Sequence, residues 1–289
     1  LTDADPQYPS NRRHFLPFKA VYLQCLDENG AAIENAYASG FVVREADGLY
    51  LYTCWHVVTG YDKHLVRVGH QLPSRMSIRI KLQASESIGQ GMETIGGAQE
   101  ITLPLYDRSG GKFAPLWFQD EQDVPQGDLN AIGIRVPFWH DAVKLRLPET
   151  IRISDLQVID QGNCLEHLVD PGDKVYLVGY PYGYSALGEG QPTPIVLTRF
   201  IAALRVADRQ REIVLDGYGA PGMSGGPVFV DTARGLRLLG PYTGLIYPDH
   251  VIEQNEKITA LGTCCDMTLC WQHSTAMGLR PVKPPETFE

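Results

Sequence analysis

Apolar positions along this chain come in short runs, and turn residues break almost every one of them. Loose alternation or a brief β-branched and aromatic stretch marks such a run as a strand. The pattern predicts strands at 18–26, 37–43 and 49–53, the last two joined by Glu45-Ala46-Asp47-Gly48, a hairpin signal. Asp27-Glu28-Asn29-Gly30 is a turn whose residues accept positive φ. Further runs lie at 65–68, 76–82, 101–106 and 115–118, and glycine-rich breaks at 89–97 and 110–111 separate them. Enlarged surface loops are predicted at 84–98 and 107–114. A second set follows at 174–179, a buried strand, then at 195–205, 212–215, 236–239 and 243–247. Only 267–277 has the spacing of a short helix. Many short strands with this punctuation predict an all-β chain of closed barrels. The divisions expected are an arm at 1–14, a first barrel at 15–137, a connection at 138–160, a second barrel at 161–275 and a tail at 276–289.

One stretch carries chemistry: Gly219-Ala220-Pro221-Gly222-Met223-Ser224-Gly225-Gly226-Pro227. Glycines on both sides of a serine let the backbone turn sharply and approach a ligand. Such a turn can aim the Gly222 and Ser224 N–H groups at one point, as an acyl-transfer site needs for its oxyanion. A serine hydroxyl is a weak nucleophile and needs a base with an orienting partner. His56 closes the run 50–56, read as a strand ending on the histidine. Asp128 follows Gly127 and opens the apolar run Leu129 to Ile134, with Asp123 as the substitute. Gly222-Met223-Ser224-Gly225-Gly226 also fits the nucleophile elbow of α/β-hydrolases. That elbow leads into a helix, whereas Gly226, Pro227 and Val228-Phe229-Val230 form a poor helix and a good strand.

The order His, Asp, Ser, together with Ser39-Gly40-Phe41-Val42-Val43, Thr53 to Val58, Asp128 to Ile132, Gly179-Tyr180-Pro181 and Pro221 to Pro227, resembles the trypsin-like serine peptidases. The nearest pattern is that of the bacterial trypsin-like and high-temperature-requirement peptidase domains. The resemblance implies two antiparallel six-stranded β-barrels, chymotrypsin-like, with the cleft between them. It implies a serine endopeptidase in which Ser224 attacks, His56 is the base and Asp128 orients the imidazole. Asn130 stands where the family usually has alanine, with Ala131 after it. The specificity pocket implied is lined by Tyr218, Gly244, Leu245, Ile246 and Tyr247. Tyr218 is uncharged, so a small or apolar residue is expected in it, and Asp216 is the one route to a basic preference. Met223 occupies the place of the aspartate that pairs with a new N-terminus in activatable relatives, so no such switch is expected. A peptide-binding module without catalysis, and an enzyme latent until a partner rebuilds the serine loop, are the rival readings.

Composition narrows the partners. The formal charge is −9 with no Lys/Arg block, which argues against a nucleic-acid backbone. No apolar run reaches membrane-spanning length, so no membrane partner is expected. The expected partner is a protein or peptide substrate. Cys25, Cys54, Cys164, Cys264, Cys265 and Cys270 are scattered, which favours a reduced, cytoplasmic protein; a secreted or periplasmic one after loss of a leader is the alternative. Cys264, Cys265, Cys270 and His273 lack paired metal-ligand spacing, so no metal and no cofactor are expected.

Overall fold

The structure, a computed structural model, describes residues 15–61, 67–68, 71–83, 95–108, 114–119, 141–165, 169–183, 192–207, 210–217, 219–246, 261–265 and 280–281. A four-residue helix, α1 (Leu16–Lys19), opens it, with Pro17 in its first turn. The predicted first strand is therefore shorter than read: β1 is Val21–Leu26, because proline at a helix start favours the turn instead. β2 (Ala32–Glu45) and β3 (Gly48–Thr53) form the expected hairpin, with Glu45 opposite Gly48. β4 (Arg75–Gln83), β5 (Ile95–Pro104), β6 (Tyr106–Asp107), β7 (Ala114–Pro115) and β8 (Trp117–Gln119) follow. The stretch 138–160 supplies β9 (Val143–Arg146) and β10 (Val158–Asp160). β11 (Lys174–Gly179), β12 (Ile195–Ala207), β13 (Gln210–Leu215), β14 (Pro227–Thr232), β15 (Gly235–Ile246) and β16 (Leu261–Cys265) come next, then β17 (Arg280–Pro281). The possible helix at 267–277 lies outside the described residues.

The fold is the two-barrel, all-β one. β11-β12-β13-β16-β15-β14 close into a six-stranded barrel. The first unit has nine strands rather than six, in the order β17-β8-β9-β3-β2-β1-β4-β5, with β10 added parallel to β2. The extra strands are those that fall after 137: β9, β10 and β17.

Several strands are apolar at consecutive positions because both their faces are covered. Val42 and Leu51 point into the first barrel's core, while Phe41, Val43, Tyr50 and Tyr52 point to the seam between barrels. From the other side Tyr176, Val178, Phe229, Leu236 and Leu238 meet them. Val175, Leu177, Val228, Val230 and Leu239 fill the second barrel. Side chains alternate across a strand, so one strand serves two cores at once. The seam is thus an apolar layer continuous with both barrels, and it holds them in one orientation.

β9 is fastened to the hairpin by charge as well. Lys144 Nζ lies 2.7 Å from Glu45 Oε2, both side chains nearly buried, and 4.4 Å above the Tyr50 ring. Tyr52 donates to the other Glu45 oxygen at 2.6 Å. Removing one charge of such a pair strands the other, at a cost of about 3–5 kcal/mol. The effect is to fix the strand that begins two residues after Asp141.

Cys25, Cys54, Cys164 and Cys264 are buried and stand outside any disulfide. Burial pushes the Cys25 thiol up from 9.0 to about 12. The neutral thiol is the form that the fold favours. Its stabilising share is whole below about pH 9 and is lost as pH rises toward about 12. In an alkaline unfolding series Cys25→Val should retain more of its neutral-pH stability than the wild type between those limits. An identical alkaline decline in both proteins would contradict this placement of the thiol.

Candidate active site

His56 is not at the end of a strand. β3 stops at Thr53, and α2 (Trp55–Thr59) begins one turn of helix that carries His56 as its second residue. Gly60, at φ 75, closes the turn and donates to the His56 carbonyl at 2.9 Å, a left-handed cap that suits glycine. Trp55 anchors the turn. It is buried, and its indole N–H donates to Gln119 Oε1 at 3.0 Å, which also accepts from Trp117 at 2.8 Å.

The carboxylate at His56 belongs to Asp141. Asp141 Oδ2 lies 2.6 Å from His56 Nδ1, and Oδ1 accepts the His56 main-chain N–H at 3.0 Å. Both carboxylate oxygens thus hold one residue, fixing the turn and the ring together. A carboxylate only accepts, so Nδ1 carries the hydrogen, and in the neutral imidazole the basic lone pair is then on Nε2. Asp128 and Asp123, the residues read from the sequence for this role, lie outside the described residues, and the position is filled by Asp141. The reason is strand pairing. β9 runs antiparallel to β3 with Val143 opposite Thr53. Two residues beyond that pair the chains bring Asp141 level with the start of α2. Asp141-Ala142-Val143 is an aspartate opening an apolar run, the same local signal as at Asp128.

The serine loop is seated by contacts that glycine alone permits. Gly225 has φ +83, and a Cβ there would collide with the Ser39 carbonyl and the Thr53 hydroxyl. Gly222 has φ +92, and a Cβ there would stand 2.5 Å from the Tyr180 carbonyl. Met223 is fully buried in the second barrel's core, which pins the middle of the loop from beneath. The buried Ser39 ties the loop to the first barrel. Its N–H donates to the Ser224 carbonyl at 2.9 Å, and its hydroxyl donates to the Gly222 carbonyl at 2.7 Å. The Tyr180 N–H donates to that hydroxyl at 3.0 Å, and the Ser39 carbonyl accepts from Thr53 Oγ1 at 2.9 Å. Gly225 N–H and Cys54 Sγ share one acceptor, the Tyr242 carbonyl, at 2.7 and 3.2 Å. That shared atom brings the residue after Ser224 and the residue two before His56 to the same place.

Within the loop, Met223 and Gly226 turn their N–H groups to the Ala220 and Met223 carbonyls at 3.0 and 2.9 Å. Among the described residues no carbonyl takes the Gly222 or Ser224 N–H. His56 and Asp141 side chains are 19% and 28% exposed, and Ser224 is half-buried, so a substrate can reach the site.

Of the specificity residues read from the sequence, Tyr218 and Tyr247 lie outside the described residues. Gly244, Leu245 and Ile246 are the last residues of β15, and Gly244 has φ +146. Asp216 turns the other way: its Oδ1 accepts the Phe200 N–H at 3.0 Å on β12, which borders β13 on the edge away from β16 and β15. Cys264 is buried in the barrel core, where it packs as a small apolar group; Cys270 and His273 lie outside the described residues. Cys54, His56 and Asp141 bring their potential ligand atoms within 4.8 Å of one another. The Cys54 thiol donates to the Tyr242 carbonyl, and each Asp141 oxygen faces a His56 nitrogen.

A family model described as a trypsin-like peptidase domain matches residues 38–237. No curated protein matches the chain.

Asp141→Asn should keep the fold and leave His56 in the wrong tautomer, lowering kcat by about 10⁴-fold. Asp128→Asn should stay near wild type, and the reverse ranking would return the orienting role to Asp128. Ser39→Ala strips the Gly222 carbonyl and Tyr180 N–H of a buried partner, which should cost about 1–3 kcal/mol in denaturant unfolding. It should also lower kcat more than it raises KM, and equal stability with equal kcat would contradict the anchoring role.

Proposed function

Because the chain belongs to the trypsin-like peptidase domain family, we propose that it is a serine endopeptidase working through Ser224, His56 and Asp141. The observation that carries the reading is the double hold of Asp141 on His56, 2.6 Å to the ring and 3.0 Å to the main chain, beside a glycine-bound serine loop. Few structural needs call for a partly exposed imidazole to be fixed in one tautomer and one direction. A general base needs both.

In the proposed reaction His56 Nε2 takes the proton of Ser224 Oγ as that oxygen bonds to the substrate carbonyl carbon. The carbonyl oxygen becomes an oxyanion and accepts from the Gly222 and Ser224 N–H groups. Preorganised donors of this kind are typically worth about 10²–10³-fold in kcat each. Asp141 stabilises the imidazolium. Collapse breaks the C–N bond, and the proton passes from His56 to the departing amine. Water then attacks the acyl ester with His56 again as base, and the proton returns to Ser224 Oγ as the acid leaves. The end of β15 supports the acyl-side pocket, and with Asp216 engaged on β12 a small or apolar side chain suits it.

A fluorophosphonate probe tests the reading. The wild type should label at Ser224, Ser224→Ala should not label, and His56→Ala should label only slowly. A folded wild type that takes no probe, or equal labelling of Ser224→Ala, would refute the enzyme and favour a peptide-binding module.

A further inference from the structure

Tyr182 is the most exposed large hydrophobic side chain among the described residues, at 64%. It also stands in the left-handed region, φ 53 and ψ 23, which a side chain with a Cβ rarely adopts. An aromatic residue held in a disfavoured conformation and left in solvent contributes little to stability. Such positions concentrate where a ligand is met.

Its place in the fold fits that reading. The Tyr182 N–H donates to the Pro221 carbonyl at 2.7 Å, so its backbone is tied to the serine loop itself. Next to it a Cβ on Gly183 would stand 3.8 Å from the Tyr37 ring, and one on Gly222 would stand 2.8 Å from the same ring. The Tyr37 ring therefore lies between the 181–183 turn and a proposed oxyanion donor. Tyr22 closes the group from β1, edge-on to Tyr180 with centroids 5.5 Å apart. Tyr180 is buried and Tyr22 and Tyr37 partly so; they brace the turn, and Tyr182 is the member most open to a partner.

The serine loop has two flanks. On one, Gly225 and Gly226 pair with Tyr242 of β15, the strand proposed above to support the acyl-side pocket. On the other stand Tyr37 and Tyr182. A peptide laid across Ser224 with its acyl part toward β15 must carry its leaving-group part over the tyrosines. Resting on the serine-endopeptidase reading above, we infer that Tyr182, with Tyr37 behind it, is a specificity platform on the leaving-group side. It selects peptides with an aromatic or bulky apolar residue just after the scissile bond. Ring-on-ring or ring-on-aliphatic contact is the chemistry available to it.

The test uses three substrates with one common acyl part. One is a methyl ester, which has no leaving-side residue; the others carry Phe or Gly after the scissile bond. The wild type should favour the Phe over the Gly peptide in kcat/KM. Tyr182→Ala should lower kcat/KM for the Phe peptide by roughly threefold to tenfold while the ester and Gly peptide change little. Tyr182→Phe should keep the preference. Tyr182→Gly, which suits the left-handed backbone, should behave as Tyr182→Ala, separating the ring from the turn. An unchanged Phe-to-Gly ratio, or an equal fall on all three substrates, would overturn the inference and leave the enzyme standing. A wild type that hydrolyses none of them, the ester included, would overturn the underlying reading together with the inference.

Discussion

The arrangement depends on one buried side chain at the seam between the barrels. Ser39 sits on β2 of the first barrel and bonds to Gly222, Ser224 and Tyr180 of the second. A hydroxyl is small enough to enter a close approach of two backbones, and it can donate and accept at the same point. Ser39 is fully buried, so a shift of the loop would leave carbonyls and an amide unsatisfied. The loop's position is therefore coupled to β2. β2 is in turn coupled through the hairpin to β3, to α2 and to His56.

The seam makes such a small joint sufficient. Phe41, Val43, Tyr50 and Tyr52 pack on Tyr176, Val178 and Phe229, so the two barrels cannot slide without exposing a shared apolar layer. Coarse alignment comes from non-directional burial, and fine alignment from a few directional bonds. Glycine then sets the approach distance. At Gly225 there is room for hydrogen only, between the Ser39 carbonyl and the Thr53 side chain. Asp141 is placed by the same logic from the other side, by the pairing of β9 with β3 and the Lys144–Glu45 pair behind it.

What could be read from the sequence was what is local. The serine loop was legible because its glycines state a backbone requirement within nine residues. The strands at 37–43, 49–53, 174–179 and 212–215 were legible because two-faced burial leaves continuous apolar runs. His56 was found, though not its helical turn, because Cys54-Trp55-His56-Val57-Val58 continues the apolar run past the strand's end. The contact of Asp141 with His56 was not legible because it rests on the register of β9 against β3, which a linear reading cannot supply when Gly127-Asp128-Leu129 offers a similar local signal. The nine strands of the first unit were hidden for the same reason. β9, β10 and β17 are short, and only their distant partners make them strands. Nothing in the run Tyr180-Pro181-Tyr182-Gly183 announces which residue takes the left-handed conformation, since Gly183 also adopts it.

In the proposed enzyme the joint at Ser39 presents two main-chain donors, Gly222 and Ser224, beside a hydroxyl that His56 serves. A crystal structure of the fluorophosphonate adduct tests it most directly. The phosphonyl oxygen should lie about 2.7–3.1 Å from both of those N–H nitrogens, with Asp141 still holding His56. A phosphonyl oxygen turned away from the pair, or a loop rearranged off Ser39 to accommodate the adduct, would contradict it.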